Sequence, residues 1–564
     1  MAAVLPILLA LLPAQDGGDG SRLSIPGRDG LAPELRAELE RFAPTTDGWD
    51  SEVLSADVGR WWRAAWEAAL AGEPVQGSVE GPLLLGLPEE GLQAGGQVLA
   101  WRRLGPGVAA RESRELGPAL RALGASVHAL QGLDVKVISA GVFDGAHWFR
   151  LRVELRGVDR AGQVVLELEV SHPAAGGPPL EARLVQYSEA RRSGEFGFQE
   201  WASQDVLGGR ALRILSPSVA ELRRGLDTRL GVGLLGHHGL SAADLEFDGR
   251  PEVFVASPGG VPNLMLVADQ GGRLVDRAAE LGLDLLDSTS TAVFLDLDGD
   301  GLQEAVLAAG TRLLVMTGRP FVLAQEVECE AITSLAAGDA DGDGDLDLFV
   351  CGYVSPYSGS GAPMPYHDAR NGARNRLFRN EGGLRLVDVT QEAGLEADNS
   401  RFTFAATWFD ADADGDQDLY VVNDFGSNQL WLNDGGRFEE AADSFGLRDV
   451  AAGMGVSVGD VNGDALEDVY VSNMFSSAGG RITSQARFLG GEGGLLRSAM
   501  ARHAQGNSLF LGTAAGPYVE VPRAGGSAMG RWAWGGRLVD LDLDGVLDVS
   551  CPAGFVTGER LDDL

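Results

Sequence analysis

Six short stretches of this 564-residue chain place side-chain oxygens at fixed intervals. Each follows D-x-[DNE]-x-D-[GA]-x-x-[DE] and runs directly into an apolar, strand-like segment. The first holds Asp244, Glu246, Asp248 and Glu252, and the second Asp296, Asp298, Asp300 and Glu304. The third holds Asp339, Asp341, Asp343 and Asp347, and the fourth Asp410, Asp412, Asp414 and Asp418. The fifth holds Asp460, Asn462, Asp464 and Asp468, and the sixth Asp540, Asp542, Asp544 and Asp548. On a tight loop, positions 1, 3 and 5 turn three oxygens inward. Glycine at position 6 supplies a left-handed turn. Position 7 offers a backbone carbonyl (Arg250, Leu302, Asp345, Asp416, Leu466 or Val546), and the acid at position 9 closes the set.

This is an oxygen cage for a hard cation. Calcium takes six to eight oxygens at about 2.3–2.6 Å, and several Ca2+ ions are expected as the cofactor. An EF-hand begins in the same way but closes at position 12 from a helix. Here the closing acid opens a β-branched and aromatic segment, which excludes that motif. One acidic loop alone reads equally well as a solvated turn. Six copies, each at the mouth of a strand, read as a repeated calcium loop. They are not equal. Loops three, four and six fit best and loop two fits well. Loop one has the longer Glu246 at position 3, and loop five has Ala465 for glycine and Asn462 for an acid.

The elements that must position these loops repeat with them. Lead-ins such as STSTAVFL and FTFAATWF precede the loops. Downstream, NLMLVADQGGRLVDRAAELGL (263–283), NRLFRNEGGLRLVDVTQEAGL (375–395) and NQLWLNDGGRFEEAADSFGL (428–447) each read as strand, Gly-rich hairpin, strand. A weaker form spans 507–521. One unit therefore holds about four short strands, as in a propeller blade. Two long insertions interrupt the series, 353–374 and 474–506, and insertions on one face of a propeller commonly carry binding.

The segment from 232 to 564 resembles the FG-GAP or VCBS repeats of integrin α-chains. It is more closely similar to the propeller of the cartilage acidic protein family, with FDADADGDQDLYVVNDFGSNQLWLNDGGRFEEAADSFGL (409–447) carrying the match. The resemblance implies a mainly β fold with a calcium-loaded propeller of seven blades, or six. It also implies export to a periplasmic, cell-surface or extracellular location. The C-terminal ASPIC/UnbV module of many relatives has no counterpart in this sequence. The outer strands of the last blade are expected from residues 195–231.

Ahead of the propeller, 1–14 (MAAVLPILLALLPA) reads as a signal peptide and 15–30 as a flexible linker. Residues 31–230 read as a small α+β region. Leu31, Leu35 and Leu39, then Trp61, Trp62 and Trp66, have helical spacing, as does 114–130. Alternating segments at about 134–190 read as an antiparallel meander. A cone-shaped fold like that of nuclear-transport-factor-2-like domains and a plain β-rich accessory domain both remain open.

Composition bounds the partners. With 81 acids against 45 bases, a formal net charge of −36, nucleic acid is excluded as a ligand. A protein or glycan ligand of a monomeric binding or adhesion module is the expectation. The alternative is a secreted polysaccharide lyase or hydrolase. No paired catalytic acids stand apart from the calcium loops, and no nucleophile elbow, zinc-protease helix or phosphate loop occurs, which favours binding over catalysis. Neighbouring His237 and His238 face opposite ways on a strand and make a poor metal pair. His367 and His503 lie in the two insertions, where they either line a ligand pocket or sit in solvated loops. Trp532 and Trp534 alternate on one strand face and fit blade core better than sugar stacking. Cys329 and Cys351 are either bridged or buried free thiols.

Overall fold

The computed structural model describes residues 50–553 apart from 76–82, 87–92, 96–98, 105–110, 114, 126, 128–129, 144–145, 158–161, 173–177, 193–205, 216–238, 354–366, 485–487, 489–493, 515, 522–527, 529 and 542–543. The leader and linker expectations, the Leu31–Leu39 helix, the His237–His238 pair and Asp542 lie outside the described residues.

The fold is mainly β, built from many antiparallel sheets. The N-terminal part is one eight-stranded sheet. Its central strands are Leu130–Phe143, Ala146–Gly157, Gly162–His172 and Glu181–Arg192, joined as the expected meander. Their alternation puts Val135, Val137, Leu151, Val153, Leu166 and Leu168 on one buried face. The helix Asp50–Ala71 lays Trp62 and Trp66 on that face, beside the short helix Leu116–Leu123. Trp62 Nε1 donates to His172 Nε2 at 2.9 Å, so two buried polar ring atoms satisfy each other.

From residue 240 the described residues form five four-stranded meanders in succession, followed by a two-stranded sheet of Arg537–Val539 and Asp548–Ser550; a small separate pair, Gly426–Ser427 with Val450–Ala451, flanks the fourth. The second strands, Glu304–Ala309, Asp347–Gly352, Asp418–Asp424 and Asp468–Asn473, are buried at every residue. Behind the opening acid their middles are apolar, as expected of strands covered on both faces by neighbouring sheets. Each junction between the first five sheets accordingly has its own core. Phe254, Met265, Leu307 and Phe321 fill the first, and Tyr420, Leu430, Val469 and Phe510 the fourth.

The first strands of consecutive sheets lie side by side. Ser290 Oγ donates to the Ile332 carbonyl at 2.8 Å, and Trp408 Nε1 to the Ala336 carbonyl at 3.2 Å. Leu538 N donates to Ser457 Oγ at 3.1 Å. The approach is close enough that a Cβ on Gly338 would meet Trp408 Cγ at 2.6 Å.

The recurring asparagine of the downstream signature has a structural task that its sequence pattern did not disclose. Asn263, Asn375, Asn428 and Asn507 open the third strands. Each accepts from a backbone N–H at the end of the second strand or just beyond it: Ser257 at 2.9 Å, Gly352 at 2.8 Å, Asn423 at 2.9 Å and Asn473 at 2.7 Å. A side-chain carbonyl thus serves an amide that the ladder leaves unpaired.

Two expectations change. Leu207 makes a parallel bridge to Leu274, and the helix Gly209–Leu215 packs beside it. The described part of 195–231 therefore joins the outer edge of the first sheet rather than the last one. Trp532 forms only an isolated bridge with Met474 and Trp534 packs edge-on to Phe404 at 5.7 Å, so this pair does not lie on a regular strand. Cys329, Cys351 and Cys551 are free, the first two buried in sheet cores.

Candidate metal centres

Every acidic loop is the connection between the first and second strands of its sheet. The residue before position 1 pairs with the closing acid in all six: Ala243 with Glu252, Leu295 with Glu304, Gly338 with Asp347, Phe409 with Asp418, Gly459 with Asp468 and Val539 with Asp548. The loops therefore share one end of the sheets. Neighbouring loops touch, since Asp339 N donates to Gln417 Oε1 at 3.0 Å.

The carboxylates build the loops before any cation is considered. At position 1, one aspartate oxygen accepts from the N–H of position 6 in each loop, at 2.8–3.1 Å. At position 5, one oxygen accepts from the N–H of position 7, at 2.7–3.1 Å. The closing acid accepts from the N–H of position 2, at 2.8–3.1 Å. In the third, fourth and fifth sheets its second oxygen takes another buried N–H, from Asn380, Asn433 or Gly512, each at 2.8 Å. The ninth-position acid thus ties loop, second strand and third strand together, a role that motif spacing alone did not reveal. Asp548 is exposed, because among the described residues its sheet has no third strand to cover it.

The left-handed turn expected at position 6 is there, from Gly249 to Gly545, with φ between 79° and 98° at the glycines. Ala465 adopts φ 64° and makes the same hydrogen bonds, so the missing glycine leaves the shape of loop five intact. A second left-handed residue occurs at position 4. It is glycine in loops two, three and five, but Phe247 (φ 53°) and Ala413 (φ 61°) bear the strain in loops one and four.

Three loops gather carboxylate oxygens within 4.8 Å of one another: Asp296, Asp298 and Asp300; Asp339, Asp341 and Asp347; and Asp410, Asp412 and Asp418. In loops three and four the charge is weakly compensated: among the described residues only Arg379 approaches, 3.9 Å from Asp341. Burial pushes Asp347 and Asp418 up to about 6. Burial followed by the adjacent Asp343 or Asp414 also raises Asp341 and Asp412. Asp341 Oδ1 is buried without a hydrogen-bond partner, an orphan acceptor of the kind a cation would fill. Asp416 was given only a carbonyl role by its position. Its Oδ1 is also buried and unpartnered, and burial together with Asp414 pushes its carboxyl up to about 6. An acid at position 7, shared with Asp345, was the available signal.

Loop one is partly neutralised by arginines, and loop five engages its acids in hydrogen bonds within the loop. Glu246 turns away to pair with Arg277 at 3.0 Å, and Arg250 grips Asp248 at 2.6 Å and holds it below its usual range. Asp460 is held down by the backbone N–H groups of Ala465 and its neighbours. Asn462 Nδ2 donates to Asp464 at 3.0 Å.

At the opposite end of the sheets lie the connections between second and third strands, which include both insertions. The second insertion carries the helices Ser477–Ser484 and Gly494–Arg502. It docks on the N-terminal sheet, with Arg481 donating to the Val137 carbonyl at 2.9 Å and Ser484 to that of Ala140 at 2.9 Å. His367 and His503, one from each insertion, meet here with ring nitrogens 3.4 Å apart. Beside them Arg401, 2 % exposed, pairs with Asp368 at 2.6 Å and with Asp398. Asp449, fully buried, accepts from Arg502, Asn473 and Ser508.

Residues 410–471 match the FG-GAP-like repeat family. The chain is 27% identical to cartilage acidic protein 1 of Homo sapiens over 268 residues, covering 42% of this chain and 39% of that protein. It is 26% identical to the Mus musculus protein, covering 42% and 40%. The chain thus spans about two fifths of the length of the curated relatives it matches. The crystal structure of the V. cholerae biofilm matrix protein Bap1 aligns at TM-score 0.27 and 14% identity, over 43% of this chain and 36% of that one, a likeness too low to carry an argument. This chain carries an FG-GAP-like repeat and resembles cartilage acidic protein 1.

Proposed function

We propose that this protein is an exported binding module built on a β-propeller that Ca2+ stabilises. Residues 232–564 form the propeller and 31–230 an accessory α+β domain fixed to it, after a leader at 1–14 and a linker at 15–30. Five four-stranded sheets and a final two-stranded one in chain order, with first strands side by side and a core at each of the first four junctions, support a radial arrangement of blades. The observation that carries the calcium reading is the weakly compensated charge of loops three and four. Their position-3 acids, Asp341 and Asp412, lie within reach of the first and ninth carboxylates. Among the described residues Asp412 pairs with no cation and Asp341 meets only Arg379, at 3.9 Å, whereas Glu246 of loop one is held by Arg277 at 3.0 Å. Ions would sit first in loops two, three and four, held by positions 1, 3, 5 and 9 and by the carbonyl of position 7. Asp540, Asp542, Asp544 and Asp548 would follow.

A divalent ion supplies the countercharge that brings these carboxylates together; the chain supplies the loop shape through its own N–H groups. Calcium on this reading stiffens one end of the blades and leaves recognition to the other, where the insertions lie. The partner is a protein or glycan bound by a monomer. The test is thermal unfolding of the full chain in EDTA and in calcium, with elemental analysis of the dialysed protein. Calcium bound in several equivalents and a melting temperature raised by the ion are the expected results. No bound calcium and coincident melts would overturn the reading.

A further inference from the structure

We propose a second metal site, distinct from the acidic loops, in which His367 Nδ1 and His503 Nε2 hold one late first-row divalent ion such as Zn2+ or Cu2+. The two nitrogens are 3.4 Å apart and their rings stand at 85°, with centroids 5.6 Å apart. That separation is longer than the roughly 2.7–3.2 Å of ordinary N–H···O hydrogen bonds. It fits two ligands of one tetrahedral ion. Zn–N bonds of about 2.0–2.1 Å at the tetrahedral angle span roughly 3.3–3.4 Å. Both side chains are half-buried, so solvent and ions can reach them.

The surrounding acids are already committed. Asp368, next to His367, gives one oxygen to Arg401 at 2.6 Å and the other to Arg370 at 3.1 Å. Asp449, on the His503 side, is taken by Arg502, Asn473 and Ser508. The two imidazoles are the nitrogen donors that meet here, and nitrogen donors favour zinc and copper over calcium. The two sites are separated by chemistry as well as by place, since hard oxygens gather at one end of the sheets and the imidazoles at the other. Two protein ligands leave coordination positions open to water or to a donor from a bound partner. Because His367 and His503 come from different insertions, an ion there would also lock the two insertions to each other. None of this depends on whether the acidic loops hold calcium.

Copper is the sensitive probe, because Cu2+ binds N/O sites most tightly in the divalent series and its electron paramagnetic resonance counts nitrogen ligands. The full chain is purified without a histidine tag, saturated with calcium and titrated with Cu2+, then challenged with Zn2+. The expected result is one equivalent of copper coupled to two nitrogens, displaced only by a large excess of zinc because Cu2+ outcompetes Zn2+ at nitrogen sites. His367→Gln and His503→Gln should each remove the two-nitrogen signal. A wild-type spectrum showing oxygen ligands alone or one nitrogen would overturn the proposal without recourse to any variant. Persistence of the two-nitrogen signal in either variant would also overturn it.

Discussion

Removing Asp412 and removing Asp418 should have opposite consequences, although both belong to the same acidic loop. Asp418 is fully buried, and its oxygens accept from Ala411 N and Asn433 N, both at 2.8 Å. Asp418→Ala strands two buried amides at about 1–3 kcal/mol each, so about 4 kcal/mol should be lost even in EDTA. Asp412 is exposed and accepts one long hydrogen bond, from Asp414 N at 3.3 Å. Asp412→Asn in EDTA should lie within about 0.5 kcal/mol of wild type, as surface substitutions do. With calcium at about a hundred times its dissociation constant, each occupied site adds about 2.7 kcal/mol, and Asp412→Asn should forfeit that gain at one site. Urea unfolding followed by tryptophan fluorescence, with and without calcium, measures all four quantities. Equal losses for the two variants in EDTA would refute the division between a framework acid and a ligand acid. Full retention of the calcium gain by Asp412→Asn would refute the ligand role itself.

Three further outcomes follow from other parts of the molecule. Burial pushes Asp424 up to about 7, against the 2.9 Å hydrogen bond it accepts from Tyr353, so the folded state holds a proton that the unfolded chain releases near pH 4. The contribution of this group to stability is therefore greatest at low pH, falls as pH rises from about 4 to about 7 and is flat beyond. Asp424→Asn should flatten that slope in urea midpoints measured from pH 5 to 8, and an unchanged slope would contradict the assignment. Arg401→Met removes the buried cation of Asp368 and Asp398, leaving them the more exposed Arg370, and should cost about 1–3 kcal/mol by urea unfolding. Trp62→Phe strands buried His172 Nε2 and should lower the stability of the N-terminal sheet by about 1–3 kcal/mol, read by denaturant unfolding of the full chain.

The repeat and the six acidic loops were legible in the sequence alone. Period-2 alternation and glycine-rich turns placed the four meander strands from Leu130 to Arg192, because strand periodicity is a local property. The spacing of Asp339, Asp341 and Asp347 was enough to bring their oxygens together, because an eight-residue hairpin leaves the chain few other shapes. Glu246 stood out in the sequence by its length, but its partner Arg277 lies 31 residues away and belongs to another element. Loop five was marked down for Ala465, yet the backbone bonds to Asp460 hold the left-handed turn without glycine.

Tertiary structure alone decided what lies at long range. It gave the closing acids their second task, because the Asn433 amide that Asp418 serves arrives with the third strand. It attached Leu207 to the first sheet, an edge pairing that no local pattern encodes. It also put both insertions at the end of the sheets away from the acidic loops and brought His367 to His503 across 136 residues. That last meeting depends on how whole sheets stack, and stacking is set by the cores between them rather than by any motif.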